Sequence, residues 1–317
     1  MDPDLAIRPP GPWTHRDVSA NGSRFHVAEM GEGPAVVLLH GFPTFWWTWR
    51  DTMVQLAQSG YHVIAMDLRG YAGSDHPPEG YDPITLAADV AGVITGLGVD
   101  QATIIGHGWG GLIGWTMCTT QSEIVRTLIT ISAPHPHRIR SALLGSRRQR
   151  AAMGYIWGLQ VPIAPERKLM RDDGRMVTNL MRGWSADASW LTPDASSRYQ
   201  AAFTYWPTAH TAIEYHRWAM RSVFRTDGRR FMETVQPPIP HDVLSIRGQF
   251  DPMVLETSFE GEDEFVLGRY ECASVPAGHF VYEEAPEVFL ALITDWMTKE
   301  STNGRTHNDE QALDETS

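Results

Sequence analysis

The turn at residues 106–111, Gly-His-Gly-Trp-Gly-Gly, joins a short apolar segment to a helical one, and its spacing suits the display of a reactive side chain. In the pattern Gly-x-nucleophile-x-Gly, small residues flank the turn because the backbones of strand and helix nearly touch there. The central residue has a positive φ and points to the carboxyl edge of the sheet, where open α/β folds bind ligands. Here the central residue is Gly108, which has no nucleophilic side chain.

Two further chemically competent residues follow apolar segments late in the chain. Asp251 comes after the segment 243–247, and His279 comes after the segment 270–275. Loops at the carboxyl ends of parallel strands meet at one edge of a sheet, so both side chains can reach the turn at 106–111. We predict that Asp251 orients His279 and stabilises its imidazolium, and that His279 activates water.

A sheet is needed to bring these loops together, and the apolar pattern predicts one. Segments typical of strands occupy residues 35–39, 62–68, 102–105, 125–132, 243–247 and 270–275, and helical patterns occupy 46–59, 84–95, 112–120 and 285–298. Residues 13–29 form a hairpin around Asn21-Gly22, a strong two-residue turn signal. Alternating strands and helices predict an α/β fold with a mostly parallel central sheet flanked by helices.

The strand rhythm breaks between residues 137 and 240, which are rich in Arg, Met and Trp and have helical patterning. We assign this range to a helical insertion, and residues 13–136 and 241–299 to the α/β core. The Pro-rich residues 1–12 are predicted to be loosely attached, and the polar residues 300–317 to form a disordered tail. The many tryptophans of the insertion either wall an apolar pocket or fill the core.

Composition excludes several classes of function. The formal net charge of -12 argues against nucleic-acid binding, which needs a basic face. The first residues lack a signal-peptide pattern and no stretch approaches the ~18 apolar residues of a membrane span, so a cytoplasmic protein is expected. His135 and His137 flank Pro136 without a third ligand, so we assign no metal and no cofactor. The sequence does not determine the oligomeric state.

One basic cluster stands out in this acidic chain. It consists of Arg138, Arg140, Arg147, Arg148 and Arg150, at the start of the insertion. The cluster could attract an anionic substrate or a membrane surface, but a solvated helix face is the preferred interpretation.

Together with three other motifs, the 106–111 turn resembles the epoxide hydrolase branch of the α/β-hydrolase superfamily, in which the central residue is Asp. The similarity extends from about residue 13 to residue 298. Its further motifs are His-Gly-Phe-Pro at 40–43, Asp-Leu-Arg-Gly-Tyr-Ala-Gly-Ser at 67–74 and Ala-Pro-His-Pro at 133–136. The resemblance implies an α/β-hydrolase fold with a helical cap, a small hydrophobic substrate, and the chain order nucleophile, acid, base.

The loop at 40–43 resembles the oxyanion loop of that branch. By this resemblance the backbone N–H groups of Phe42 and Trp109 form an oxyanion hole. His40 and Pro43 are placed beside the substrate, although for His40 a bracing role through hydrogen bonds is preferred.

The same branch uses two cap tyrosines that donate hydrogen bonds to the epoxide oxygen. The segment 152–157 is similar to the one that carries the first, which makes Tyr155 the candidate. The best register for the second falls on His216, with Tyr215 one position early. One residue rotates a helix by about 100°, so Tyr215 can point elsewhere, and His216 could donate in its place.

Gly108 interrupts the reaction that the resemblance implies. That reaction needs a carboxylate to attack an epoxide carbon, followed by hydrolysis of the ester by His-activated water. Glycine relaxes the turn by about 1 kcal/mol but removes the first step. Three hypotheses stay open: direct water attack driven by His279, a non-catalytic protein that binds a hydrophobic ligand, and an inactivated variant of an epoxide hydrolase.

Two other relatives fit the same turn. A serine esterase is an alternative, because Gly108 does not indicate whether the related proteins carry Ser or Asp at this position. A haloalkane dehalogenase shares the turn pattern with Trp109, but Phe42 stands where a halide-binding Asn or Glu would be expected.

Overall fold

The computed structural model describes residues 3–299, and its centre is an eight-stranded sheet of order β1-β2-β4-β3-β5-β6-β7-β8. The strands are β1 Thr14–Ala20, β2 Ser23–Met30, β3 Ala35–Leu39, β4 His62–Met66, β5 Ala102–His107, β6 Val125–Ile131, β7 Asp242–Gly248 and β8 Tyr270–Val275. The strands β4, β3, β5, β6, β7 and β8 run parallel, whereas β2 is antiparallel to both of its neighbours, β1 and β4. The predicted α/β fold is confirmed.

Strands β3 to β6 are buried over nearly their whole length, as their apolar composition requires. Helices outside the insertion flank them: α1 Pro3–Ile7, α2 Arg50–Gln58, α3 Pro83–Gly96, α4 Trp109–Thr120, α13 Val281–Glu284 and α14 at 286–299. The helix expected at 46–59 begins with a 3-10 turn, Trp46–Trp49, before α2. The hairpin turns at Asn21 and Gly22, which both have positive φ.

The first described residues differ from the loose attachment that we expected for residues 1–12. Helix α1 contains Ala6 and Ile7, which are buried, and the indole Nε1 of Trp46 donates to the carbonyl oxygen of Ile7 at 2.8 Å. Apolar residues among the prolines therefore attach the segment to the core. The tail expected at 300–317 lies outside the described residues.

Residues 136–234, between β6 and β7, form eight helices that lie over the carboxyl edge of the sheet. They are α5 Pro136–Gly145, α6 Arg147–Ala152, α7 Tyr155–Gly158, α8 Ala164–Met170, α9 Arg175–Trp184, α10 Pro193–Thr204, α11 Thr208–Ser222 and α12 Thr226–Thr234. We refer to them as the helical insertion. Within residues 3–299, no helix is long and apolar enough to cross a membrane.

The loop after β4 connects the core to the helical insertion. The Asp67 carboxylate accepts hydrogen bonds from the backbone N–H groups of Trp46 and Gly73 and contacts His26, which holds the loop in shape. The Thr211 hydroxyl of α11 then donates to the carbonyl oxygen of Gly70 at 2.5 Å. These bonds place α11 directly above the edge where the site lies.

Candidate active site

The turn between β5 and α4 has the geometry that its glycines predict. Gly108 has φ 52° and ψ -112°, a conformation that side-chain-bearing residues rarely adopt. A Cβ added at Gly106 would lie 2.4 Å from the backbone of Gly110, so strand and helix do nearly touch. A Cβ at Gly108, in contrast, would meet only the Cα of Gly41 within 4 Å, at 3.8 Å. The turn therefore excludes side chains at its flank but has space for one at its centre.

The loops after β7 and β8 bring Asp251 and His279 together. The imidazole Nδ1 of His279 lies 2.8 Å from the Oδ2 of Asp251, and both residues are buried. The other carboxylate oxygen, Oδ1, accepts from the N–H groups of Met253 and Val254 at 2.7 and 3.1 Å. With its carboxylate so held, Asp251 keeps the proton of His279 on Nδ1 and leaves Nε2 free to accept one.

A cavity of about 690 Å³ lies above this edge and has Gly108 and His279 in its wall. The volume is in the range of small-molecule sites. Most of the wall is apolar, with contributions from Phe42, Trp184 and Met253. The arrangement can hold a hydrophobic molecule against an imidazole–carboxylate pair.

Two backbone N–H groups are predicted to form an oxyanion hole. They belong to Phe42 and Trp109, and both residues contribute to the wall of the cavity. Among the described residues, neither N–H donates to a protein acceptor. The N–H of Trp109 is also at the first position of α4, where the helix dipole favours an anion.

Tyr155 and His216 contact each other in the wall of the cavity. The Nε2 of His216 lies 3.2 Å from the Tyr155 hydroxyl and 3.3 Å from the indole Nε1 of Trp109. The indole N–H can only donate, so Nε2 of His216 must accept, and its proton is on Nδ1, 3.4 Å from the carbonyl oxygen of Ala212. Burial lowers the pKa of His216 to about 4, which keeps the imidazole neutral.

This geometry changes the role expected for His216. In place of donating to a ligand, His216 accepts from Tyr155, so it orients the tyrosine hydroxyl. Trp109 competes for the same lone pair, so the Tyr155 proton can turn to a ligand oxygen while His216 stays hydrogen-bonded. Burial also raises the pKa of Tyr155, which keeps the phenol protonated at neutral pH.

Three residues that were placed beside the substrate lie elsewhere. The hydroxyl of Tyr215 donates to the carbonyl oxygen of Arg69 at 2.6 Å, in a fully buried position one helical step from His216. His40 is completely buried, and its Nε2 accepts from the N–H of Leu68 at 3.1 Å. Pro43 is buried in the same loop. None of the three is among the residues that line the cavity, and the hydrogen bond between Leu68 and His40 fits the bracing role preferred for His40.

Two residues that support the site were not identified as site residues from the sequence. Glu284 accepts from the N–H groups of Gly278 and Phe280, on either side of His279, and from that of Ala186 in the helical insertion. The carbonyl oxygen of Trp184 accepts from the N–H of His279 at 2.9 Å, and its ring packs on the imidazole. A carboxylate five residues after the candidate base was the available signal for Glu284.

The buried, neutral state of His216 predicts a pH dependence of stability. Its pKa is lowered to about 4 in the folded protein from about 6.5 in the unfolded chain, so only the unfolded chain gains a proton between these values. Acidification from pH 6.5 to 4 is expected to lower the free energy of unfolding, by on the order of 1–3 kcal/mol from this residue. The variant His216→Gln keeps an acceptor without titrating, and it should lose less stability over that interval in urea titrations. Equal losses in the two proteins would contradict the prediction.

Comparison with known proteins gives a consistent family. Residues 34–286 match the family model described as alpha/beta hydrolase fold. The chain is 34% identical over 311 residues to "Epoxide hydrolase 4" of Mus musculus, covering 95% of this chain and 84% of that protein. It is 39% identical over 201 residues to "AB hydrolase superfamily protein YfhM" of Bacillus subtilis, covering 62% of this chain and 69% of that protein.

Solved structures show the same likeness. The crystal structure of Epoxide Hydrolase A from Mycobacterium thermoresistibile superposes with a TM-score of 0.78 at 27% identity, covering 90% of this chain and 98% of that one. The fold of most of this chain is thus similar to that of an epoxide hydrolase.

Proposed function

This chain belongs to the alpha/beta hydrolase fold family, and from that premise we propose that it converts epoxides to vicinal diols with water that His279 activates directly. The observation that supports this most strongly is the His279–Asp251 pair, which is complete and faces the cavity although the nucleophile position is empty of any side chain. The similarity of this chain to epoxide hydrolases supports epoxides as the class of substrate.

The space beside Gly108 suits a water molecule. A Cβ there meets nothing closer than 3.8 Å, and Gly108 lines the same cavity as His279, Phe42 and Trp109. Such a polar site can hold water. His279 Nε2 accepts a proton from this water while its oxygen attacks an epoxide carbon, and Asp251 stabilises the imidazolium that forms.

Tyr155 completes the reaction on the other side of the epoxide. As the carbon–oxygen bond breaks, its electron pair goes to the epoxide oxygen, which takes the proton of the Tyr155 hydroxyl. The imidazolium of His279 then returns its proton through solvent to the phenolate. His216 orients the hydroxyl before the step.

An oxygen-labelling experiment tests the proposed route. A single turnover in heavy-oxygen water, with enzyme in excess over a styrene-type epoxide, should place the label in the diol on the first turnover. The variant Gly108→Asp is the matched control, because its first diol takes an unlabelled oxygen from the new carboxylate. Unlabelled first-turnover diol from the natural protein, or no diol at all, would rule out direct water attack.

A second candidate function is ligand binding without chemistry, which the absence of a side chain at Gly108 favours. It predicts saturable binding of hydrophobic epoxides and diols, measured by calorimetry, with no product. Whether the natural protein forms diol in the labelling experiment separates the two functions. The cytoplasmic location expected from the sequence remains a prediction.

A further inference from the structure

The helical insertion and the rest of the chain carry opposite charge. Residues 136–234 contain 16 Lys and Arg but 8 Asp and Glu, a net charge of +8, whereas the whole chain has -12. The remaining residues therefore carry -20. Fields from exposed charges decay over about 10 Å, so a partner at the insertion experiences its positive charge more than the acidic core.

Large apolar side chains are exposed on the same helical insertion. Phe224 is 91% exposed, Trp157 67% and Leu144 74%, at the ends of α11, α7 and α5. We refer to these three residues, together with Val161, Ile163 and Val223, as the apolar rim; the last three are 52%, 59% and 64% exposed. A concentration of exposed apolar side chains marks an interaction surface.

Contacts place part of the apolar rim at the opening of the cavity and Val161 beside helix α11. Val223 and Phe224 are exposed and also line the cavity, so they lie at its mouth. Leu143 and Ile156, which directly precede two rim residues, line the cavity as well. The side chain of Arg217 on α11 donates to the carbonyl oxygen of Val161 at 3.1 Å, which holds that part of the rim beside the same helix.

Exposed arginines accompany the apolar rim. Arg140, Arg225 and Arg229 are exposed and line the cavity, and Arg147, Arg148 and Arg150 are exposed on the neighbouring helix α6. Exposed apolar side chains interleaved with arginines are the composition of a surface that inserts into the headgroup region of anionic lipid. The acidic remainder of the protein would be repelled by such a membrane, which orients the insertion toward it.

We propose that the apolar rim and its arginines dock this protein on the surface of an anionic lipid bilayer, with the cavity mouth facing the lipid. Guanidinium groups pair with lipid phosphates and carboxylates, while Trp157 and Phe224 insert among the acyl chains. A hydrophobic ligand can then pass from the bilayer to the cavity without crossing water. The docking is independent of the proposed reaction, because it requires no chemistry at Gly108.

Vesicle sedimentation tests the proposal with the full-length protein. Binding is expected to vesicles of phosphatidylcholine with 30% phosphatidylglycerol at 0.1 M NaCl, with little binding to pure phosphatidylcholine and at least tenfold weaker binding at 0.5 M NaCl. Near an anionic surface each basic residue contributes roughly fivefold, so replacing Arg147, Arg148 and Arg225 by Ser should weaken binding about a hundredfold. Replacing Phe224 by Ser should weaken it about tenfold.

Matched variants on the α/β core separate the effect of the docking surface from the effect of total charge. Replacing Arg16, Arg24 and Arg126 by Ser changes the total charge equally, and Leu267→Ser removes from the core an apolar side chain that is 73% exposed. These variants should bind vesicles like the natural protein. Equal losses in both sets, or no preference for anionic lipid, would overturn the proposal. Light scattering that shows a dimer lost in the insertion variants would assign the surface to a second copy of the chain.

Discussion

Gly108→Asp is expected to raise epoxide hydrolysis on the order of a thousandfold or more, because loss of a nucleophile from an otherwise intact site costs up to about a millionfold in turnover. The added carboxylate has space, since a Cβ at this position contacts only Gly41 at 3.8 Å. It would enter the cavity that His279, Phe42 and Trp109 also line. A panel of aryl and alkyl epoxides, assayed side by side for the two proteins, measures the gain.

The same substitution is expected to destabilise the protein. A side chain at φ 52° and ψ -112° costs about 1–3 kcal/mol of backbone strain, which urea titrations can measure. Gly108→Ala is the control for strain, and it should lose similar stability without gaining activity. Gly108→Ser tests the serine esterase alternative, because only an esterase ancestry predicts that this variant hydrolyses nitrophenyl esters. No epoxide hydrolysis in Gly108→Asp would show that other parts of the machinery are absent, and would favour the ligand-binding function.

His279→Ala in the Gly108→Asp background should stop the reaction at the ester intermediate. The new carboxylate still opens the epoxide, but no base activates water, so the ester persists and the protein mass rises by the mass of one substrate molecule. Steady-state diol formation should fall about 10²–10⁴-fold, the usual contribution of a general base. Intact-protein mass spectrometry after mixing with substrate detects the adduct.

The natural protein provides the contrasting case. In the Gly108 background, His279→Ala should lower diol formation by a similar factor with no adduct, since no side chain forms an ester. His62→Ala replaces a histidine that pairs with Glu29 on the core, and should leave both readouts unchanged. Undiminished turnover without His279, in either background, would remove that residue from the role of base.

If the vesicle experiment succeeds, the cavity opening and the lipid surface form one functional unit. The net charge of -12 then conceals a local positive surface on the helical insertion. A total charge is a sum over the chain, whereas binding depends on charges within about 10 Å of the partner.

The positions of the sheet, the Gly108 turn and the Asp251–His279 loops could be predicted from the sequence. Buried parallel strands have continuous apolar runs, and glycines at 106 and 110 are required where two backbones nearly touch. Once the strands are known, their carboxyl ends must share an edge, which brings loops from distant parts of the chain together. These features depend on local pattern and on topology, and both are readable from residue types.

In the helical insertion, the tertiary structure decided which side chains reach the cavity. Tyr215 and His216 are adjacent in sequence, yet one is bonded to Arg69 in the core and the other to Tyr155 at the cavity. Their directions depend on how α11 is rotated by bonds such as that of Thr211 to Gly70. That His216 accepts a hydrogen bond follows only from the position of the Trp109 indole. Helices that are not fixed by strand register take their orientation from distant contacts, so no local pattern in the sequence encodes it.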